Sequence, residues 1–404
     1  MQPVLGFQTF LGKHVHLGVT GSIAAYKTLD LLRMLVKAEC VVSVTLTDAA
    51  RRFVQPLAFE ALGACRVNTS LFDERDEIYA HLEPGASADV LAVVPATANI
   101  LAKMANGLAD DMLSCQALAF DGPVVAAPAM NPRMWNAVAT RENWRRLLDR
   151  GVIGIGPGSG LVACGDEGEG KLAPLDEIAA QVLRAVSPQD LRGKKVLTTL
   201  GPTREPWDAV RFWSNPSTGL MGGCIAAAAW LRGADVTVVA GPIDLWLPAG
   251  IDVVPVTTAR EMYDAVLERW PASDIACLTA AVADFRPKPL GPGKFKKADA
   301  AQGLSVEFET NPDILRALGA SKRAGARLIG FAAETSDLRV AAESKLKAKN
   351  LDLIVANRID VAGSGFATGT NEVSVLDASG RFEQWPQLSK NEVAWRIWDL
   401  LLQL

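Results

Sequence analysis

The sequence predicts two α/β domains, each a parallel sheet covered by helices on both faces. Three observations carry that expectation. Short continuous apolar runs alternate with amphipathic stretches, as strands buried on both sides require. The pattern restarts at Lys194 after a polar break. The chain has 404 residues, enough for two to three domains at roughly 150 residues each.

Taken in order, residues 15–19 form a first strand that breaks at Thr20-Gly21-Ser22 and enters a helical stretch, IAAYKTLDLLRMLVKA. Strands are expected next at 41–46, 90–94, 124–127 and 152–155. The stretch AVSPQD, residues 185–190, reads as a linker, giving domains of 1–188 and 189–404. Beyond it come a strand (KKVLTTL), a loop, a helix (MGGCIAAAAWLRGA) and a strand (DVTVVAG). Further strands are expected at 251–255, 275–280, 327–331 and 353–356. Residues 372–376 alternate in polarity, as an edge strand or hairpin does. Both halves open with strand, glycine-containing turn and helix, without a residue-level repeat.

Composition narrows the function. Hydrophobic residues make up 49% and charged residues 21%, so a sizeable core is available and disorder is excluded as the dominant state. The net charge of −4 argues against a strongly basic nucleic-acid binder. No apolar run is long enough for a membrane span. The N-terminus lacks the charged region of a signal peptide. The six cysteines are scattered, without CxxC. That pattern fits a reducing cytoplasm, with most thiols serving as small buried hydrophobes.

In the first half, Gly21 and Ser22 stand where the first strand hands over to a helix. Free N–H groups and the helix dipole favour a phosphate there. A tight turn capped by serine would read the same, and GVTGSIAAYK lacks the three glycines of a dinucleotide fingerprint. Three more polar segments fall at expected carboxyl ends of strands, where open α/β sheets bind ligands. They are TDAA from Thr47, PATAN around Thr97, and APAMNPRMW through Asn131. Hydroxyls and amides there suit a ribityl phosphate and a flavin ring edge.

GVTGSIAAYK, PATAN, PAMNPRMW and ACGDEGEGK, in this order and spacing, resemble the flavin-containing cysteine decarboxylases. Over about residues 10–400 the chain resembles the bifunctional phosphopantothenoylcysteine decarboxylase/phosphopantothenate–cysteine ligase family of coenzyme A biosynthesis. The resemblance implies two Rossmann-like or flavodoxin-like domains, a flavoprotein decarboxylase followed by a ligase. It implies FMN at Gly21, Ser22, Thr47, Thr97 and Ser114, with the flavin oxidising the substrate thiol so that CO₂ can leave. His81, in YAHLEP, matches the active-site histidine and would take a proton near neutral pH. His14 and His16, in or beside the first strand, read as structural. Asn131 would hold the substrate carboxylate through neutral donors, since a tight cation pair would stabilise the ground state. Met130, Met134 and Trp135 would pack around the site. Cys164 lies in GSGLVACGDEGEGK, whose glycines predict a mobile flap. By resemblance, its thiol reprotonates the product.

In the second half, LTTLGPTREPWDAVRFWSNPSTGLMGG reads as a strand–loop–helix nucleotide entry. A short-chain dehydrogenase competes on fold alone, but Tyr26, Tyr79 and Tyr263 supply no Tyr-x-x-x-Lys pair. AAVADFRPK, GKFKKA, ETNPDIL, GFAAET, KLKAKNLDLIVAN and GFATGTNEV match the ligase half in order. The resemblance implies CTP as co-substrate with Mg²⁺: the carboxylate of 4′-phosphopantothenate becomes an acyl-cytidylate with loss of pyrophosphate, and the cysteine amine displaces CMP. Attack on a triphosphate needs cations, which Lys294, Lys296 and Lys297 would supply, Lys294 foremost. By resemblance Asn215 binds the activated acyl group, and Asp284 contacts the nucleotide or positions Mg²⁺. Phe331, with Ala332 and Ala333, lines the cytosine pocket. Lys345 and Lys349, four apart on an expected helix, are further phosphate candidates or a solvated face. Leu220 stands where the family often has a basic residue, which leaves Arg211 as the substitute for phosphate recognition. The resemblance also implies a cytoplasmic homo-oligomer, with flavin domains in threes and ligase domains in pairs, up to a dodecamer. The expected partners are small molecules, with no nucleic acid and no membrane. A regulatory flavin-binding subunit would lack His81 or Cys164, and both are present. A peptide-cysteine decarboxylase or a flavin prenyl-transfer enzyme would not need the second half.

Overall fold

The computed structural model describes residues 2–72, 79–161, 165–291, 293–296, 304–334, 338–358, 365 and 368–404. It divides into two compact units, residues 6–188 and residues 189–404, the second joined by residues 2–5. That short segment departs from the expected 1–188 limits for an apolar reason. Val4 and Leu5 are buried, and Gly223 has no side chain to exclude Val4, whose Cγ1 would lie 3.0 Å from a Cβ there. Asn391 Nδ2 donates to Pro3 O at 3.1 Å.

In the first unit, β1 (His14–Val19) passes through a 3-10 turn into α1 (Lys27–Lys37), followed by β2 (Val41–Leu46), α2 (Pro56–Ala61) and β3 (Arg66–Asn68). Then come α3 (Glu83–Ser87), β4 (Val90–Ala96), α4 (Ala98–Asn106), α5 (Met112–Ala119) and β5 (Val124–Pro128). The unit ends with α6 (Pro132–Trp135), α7 (Val138–Asp149), β6 (Ile153–Gly154), the hairpin β7 (Gly158–Leu161) and β8 (Glu167–Lys171), and α8 (Leu175–Val186). The sheet order is β3-β2-β1-β4-β5-β6, parallel throughout. The strand order reverses between β1 and β4, which opens a crevice at their carboxyl ends. α4, α5, α6 and α7 share a core with strand residues Leu91, Val93 and Ala126. α8 packs on α1.

The second unit begins with β9 (Lys195–Leu200), a hairpin of β10 (Arg204–Pro206) and β11 (Phe212–Ser214), and α9 (Leu220–Leu231). It continues with β12 (Asp235–Ala240), β13 (Asp252–Pro255), α10 (Ala259–Arg269), β14 (Ile275–Leu278) and the paired β15 (Phe285–Pro287) and β16 (Phe308–Thr310). α11 (Ile314–Ala320), β17 (Arg327–Glu334), α12 (Leu338–Ala348), β18 (Leu353–Arg358), β19 (Thr370–Asp377), β20 (Phe382–Ser389) and α13 (Lys390–Leu401) complete it. The eight-stranded sheet runs β13-β12-β9-β14-β17-β18-β19-β20, its first six strands parallel and the last two antiparallel. The six parallel strands repeat the order of the first unit. Right-handed crossovers then place α9 on one face and α10, α11 and α12 on the other. Met262, Leu318 and Leu346 of those three helices share one core with Leu197, Ala276 and Ile354. α13 packs on α9, with Trp398 Nε1 donating to Ile225 O at 3.1 Å.

The expected alternating strand at 372–376 is the inner member of a hairpin, and β20 is the edge. Thiol burial is mixed. Cys40, Cys224 and Cys277 are buried, whereas Cys65 is exposed and Cys115 half-buried. No described helix is long and apolar enough to cross a membrane.

Two candidate active sites

In the first unit the crevice between β1 and β4 is stitched by Thr20. Its hydroxyl donates to Pro95 O at 2.6 Å and accepts from Thr97 N at 3.1 Å. Gly21 follows. A Cβ there would stand 2.4 Å from Ala49 Cβ, so only glycine lets this turn approach the loop after β2. Ser22, Thr47 and Thr97 sit at the carboxyl ends of β1, β2 and β4. Each hydroxyl accepts from a backbone N–H just ahead in its own turn: Ala24 at 3.3 Å, Ala50 at 3.3 Å and Ile100 at 3.5 Å. Each therefore keeps its O–H proton for another acceptor. Ser114 differs. Its hydroxyl accepts from Asp111 N and donates to Asp111 O, both at 3.0 Å, closing the capping box of α5. A short turn over Ala80–Leu82 puts half-buried His81 against α5.

The β7–β8 hairpin closes on the PAMNPRMW run. Met130 N donates to Gly170 O at 2.9 Å. Asn131 caps α6 by accepting from Arg133 N at 2.8 Å, while its Nδ2 donates to Asp166 at 2.6 Å. Trp135 Nε1 donates to Glu169 at 3.1 Å, and Arg133 pairs with Asp166 at 3.3 Å. Two segments more than thirty residues apart thus form one wall. Trp135 is buried against Trp144, and Met134 is half exposed. Cys164 lies outside the described residues. His16 is structural, as expected: it is buried, with Nδ1 2.7 Å from Ser43 Oγ and Nε2 2.9 Å from Thr45 Oγ1 and 3.2 Å from Gln116 Oε1. Burial outweighs the Gln116 hydrogen bond and pushes its pKa down to about 3. His14 joins the same network, 2.8 Å from Ser43 Oγ.

In the second unit a cavity of about 750 Å³ opens at the carboxyl ends of the parallel strands. Asn215, Asp284, Phe331, Ala332, Lys345 and Lys349 all line it. Asn215 Nδ2 donates to Ala281 O at 3.3 Å and Val282 O at 3.1 Å, which leaves Oδ1 to accept. Lys349 lies just past the end of α12 and pairs with Asp313 at 2.9 Å. Lys294 and Lys296 are exposed and not among the cavity lining. Their loop is pinned between them by Phe295, whose N–H donates to Asp208 at 3.1 Å and whose ring lies 5.2 Å from Trp207. Lys297 lies outside the described residues. Arg211 is not in the lining either: it pairs with Asp208 at 2.8 Å and donates to Phe295 O at 3.4 Å. Burial opposes ionisation of Asp208, but N–H donation from Arg211, Val210 and Phe295 holds its carboxyl below the usual range.

The flavoprotein family model matches residues 8–187, and that of the DNA/pantothenate metabolism flavoprotein C-terminal domain matches residues 191–404. The coenzyme A biosynthesis bifunctional protein CoaBC of Vibrio cholerae is 40% identical over 395 residues, 98% of this chain and 99% of its own. The chain belongs to the bifunctional coenzyme A biosynthesis family. The CoaBC proteins of Bacillus subtilis (43% identical; 95% of each chain) and Escherichia coli K12 (42%; 91% of this chain, 92% of its own) agree. The chain is thus a two-activity enzyme, a flavoprotein decarboxylase half followed by a ligase half.

Sequence reasoning missed Thr20, Asp166 and Lys390, the last of which also lines the second cavity. A threonine beside Gly21 and an acid beside Cys164 were findable from their neighbours. Lys390 carried no signal, since a lysine opening a helix reads as solvated.

Proposed function

We propose that the second unit joins 4′-phosphopantothenate to cysteine at the expense of CTP, and that the first decarboxylates the product with FMN. The single observation that carries this is the pair of sites, each at the strand-order reversal of its own sheet, with a hydroxyl set in one and a large acid- and lysine-lined cavity in the other.

Ser22, Thr47 and Thr97 offer three O–H donors with no cation among them, a set suited to a phosphate monoester at a helix entry. With Gly21 and the first turn of α5 at Ser114 they would hold FMN. When bound, the flavin supplies the oxidation that makes the carbon beside the carboxylate able to accept charge. His81 accepts the thiol proton. Asn131, held by Asp166, offers the substrate carboxylate a neutral amide. Cys164 returns a proton after CO₂ leaves.

In the ligase half, Lys345 and Lys349 balance the triphosphate, and Lys294 supplies a cation from its pinned loop. Phe331 packs against the base. Asp284 is exposed on the cavity wall and would serve Mg²⁺, which takes one or two carboxylates and fills its remaining sites with phosphate and water. Asn215 Oδ1 faces the acyl intermediate. The test is direct: the purified protein with 4′-phosphopantothenate, cysteine, CTP and Mg²⁺ should release pyrophosphate and CO₂. Loss of either product from the wild-type protein removes the corresponding half of the proposal.

A further inference from the structure

Residues 2–5 belong to the second compact unit, and the chain enters the first only at Gly6. They lie outside both family matches, which begin at residues 8 and 191. Pro3–Leu5 form a 3-10 turn closed by Leu5 N, which donates to Gln2 O at 3.0 Å. The leading residues of a domain are loose unless something ties them down. Here Val4 and Leu5 are both fully buried.

Val4 meets α9 where helix propensity is low. Gly219, at φ +75°, has no side chain to cap the helix, and Gly222 and Gly223 fall in its first turn. Glycine disfavours a helix through its backbone freedom, so tertiary packing must hold this turn. On one side Gly222 sits against β9, where a Cβ would stand 2.5 Å from Leu200 Cβ. On another, a Cβ at Gly223 would stand 2.5 Å from Leu245 Cδ2 and 3.0 Å from Val4 Cγ1. Val4 and Leu245 thus press directly on the turn. Leu220, Met221 and Gly222 line the ligase cavity, whereas Gly223 and Val4 do not. Val4 therefore stands behind the cavity wall. The same segment reaches α13: Asn391 Nδ2 donates to Pro3 O at 3.1 Å, and its neighbour Lys390 lines the cavity. One turn of the chain braces two helix entries at the ligase site.

We propose that Pro3–Leu5 is a positioning element of the ligase half, in which Val4 holds the first turn of α9 in place for substrate binding. A segment that precedes the flavoprotein half thus serves the other activity. The proposal takes from the ligation reading only that this cavity is where ligation occurs.

Two substitutions separate shape from burial. Val4→Ala removes both γ-methyl groups. Val4→Thr keeps the branched shape but buries a hydroxyl, which costs stability. In the full-length protein, KM and kcat for pyrophosphate release are measured with CTP and 4′-phosphopantothenate varied in turn. CO₂ release from added 4′-phosphopantothenoylcysteine, Tm and hydrogen exchange of the α9 amides Cys224–Ala228 are read alongside. Val4→Ala should raise the KM of at least one ligase substrate roughly 5- to 10-fold, with kcat and CO₂ release unchanged and α9 exchange faster. Val4→Thr should lower Tm, yet keep the wild-type KM values and α9 exchange. Unchanged KM values in Val4→Ala overturn the proposal. So does an equal rise in both variants, the mark of a side chain that only adds burial, or a parallel loss of CO₂ release. If the wild-type protein releases no pyrophosphate, the ligation reading falls. The α9 exchange still decides the positioning role, and equal exchange in the wild type and Val4→Ala ends it.

Discussion

Gly170→Ala tests whether the hairpin must close on the Asn131 wall for decarboxylation. Gly170 has φ +152°, and a Cβ there would stand 2.3 Å from Met130 O and 3.2 Å from Pro132 N. Both neighbours are backbone, so no side chain can swing away. The Met130 N to Gly170 O bond of 2.9 Å must stretch or break. The unfavourable φ costs about 1–3 kcal/mol, and a lost hydrogen bond adds about 1 kcal/mol. Together, about 2–4 kcal/mol correspond to roughly 30- to 1000-fold in the docked population. Gly160→Ala is the control: φ is +137°, but nothing lies within 4 Å of its Cβ position. It carries the backbone cost without the clash. CO₂ release from 4′-phosphopantothenoylcysteine is measured for both, with pyrophosphate release by the ligase half as internal reference. Gly170→Ala should lose decarboxylation about five times more severely than Gly160→Ala, the share of the lost hydrogen bond at about 1 kcal/mol, and ligation should persist in both. Equal losses would refute the reasoning, because the Met130 contact would then contribute nothing.

Three other outcomes are expected. His16 is neutral in the folded protein at a pKa of about 3 against 6.5 for the free side chain. Below pH 6.5 the unfolded chain therefore takes up a proton that the folded one refuses. Stability of the first unit should fall by up to about 1.4 kcal/mol per pH unit between those values, and His16→Gln should flatten that slope in urea midpoints followed by flavin release. Lys294→Gln should reduce pyrophosphate release by about 10²-fold with CO₂ release from added 4′-phosphopantothenoylcysteine unchanged; equal loss of both would show that the sites are not separable. Asn215→Asp sets a carboxylate oxygen against the carbonyls of Ala281 and Val282, and should lower ligation, not decarboxylation, by a similar factor.

The sequence carried the sheets well where strands are buried on both faces. Residues 90–94 and 124–127 are apolar throughout, as central strands covered by helices require. It carried small hairpins poorly. β10, β11, β15 and β16 are three residues each, too short for a period to show. β6 is only Ile153–Gly154, an edge strand paired with β5 at Val125 and Ala126. The placement of residues joined to a glycine turn or strand end was legible: Gly21, Thr47, Thr97 and Asn215 stand where the sequence put them. Surroundings that depend on burial or on long-range partners were not. Lys390 looks like a surface lysine until the fold encloses it, and Arg211 looks free until Asp208 is seen to hold it.

The account rests most heavily on the hydroxyl set at the carboxyl ends of β1, β2 and β4. Its most direct test is the absorption spectrum of the protein as isolated, with the chromophore released and identified by chromatography. One FMN per chain, lost on Thr97→Val, is the expected result. A colourless protein that FMN cannot reconstitute, or one that releases FAD, would contradict it.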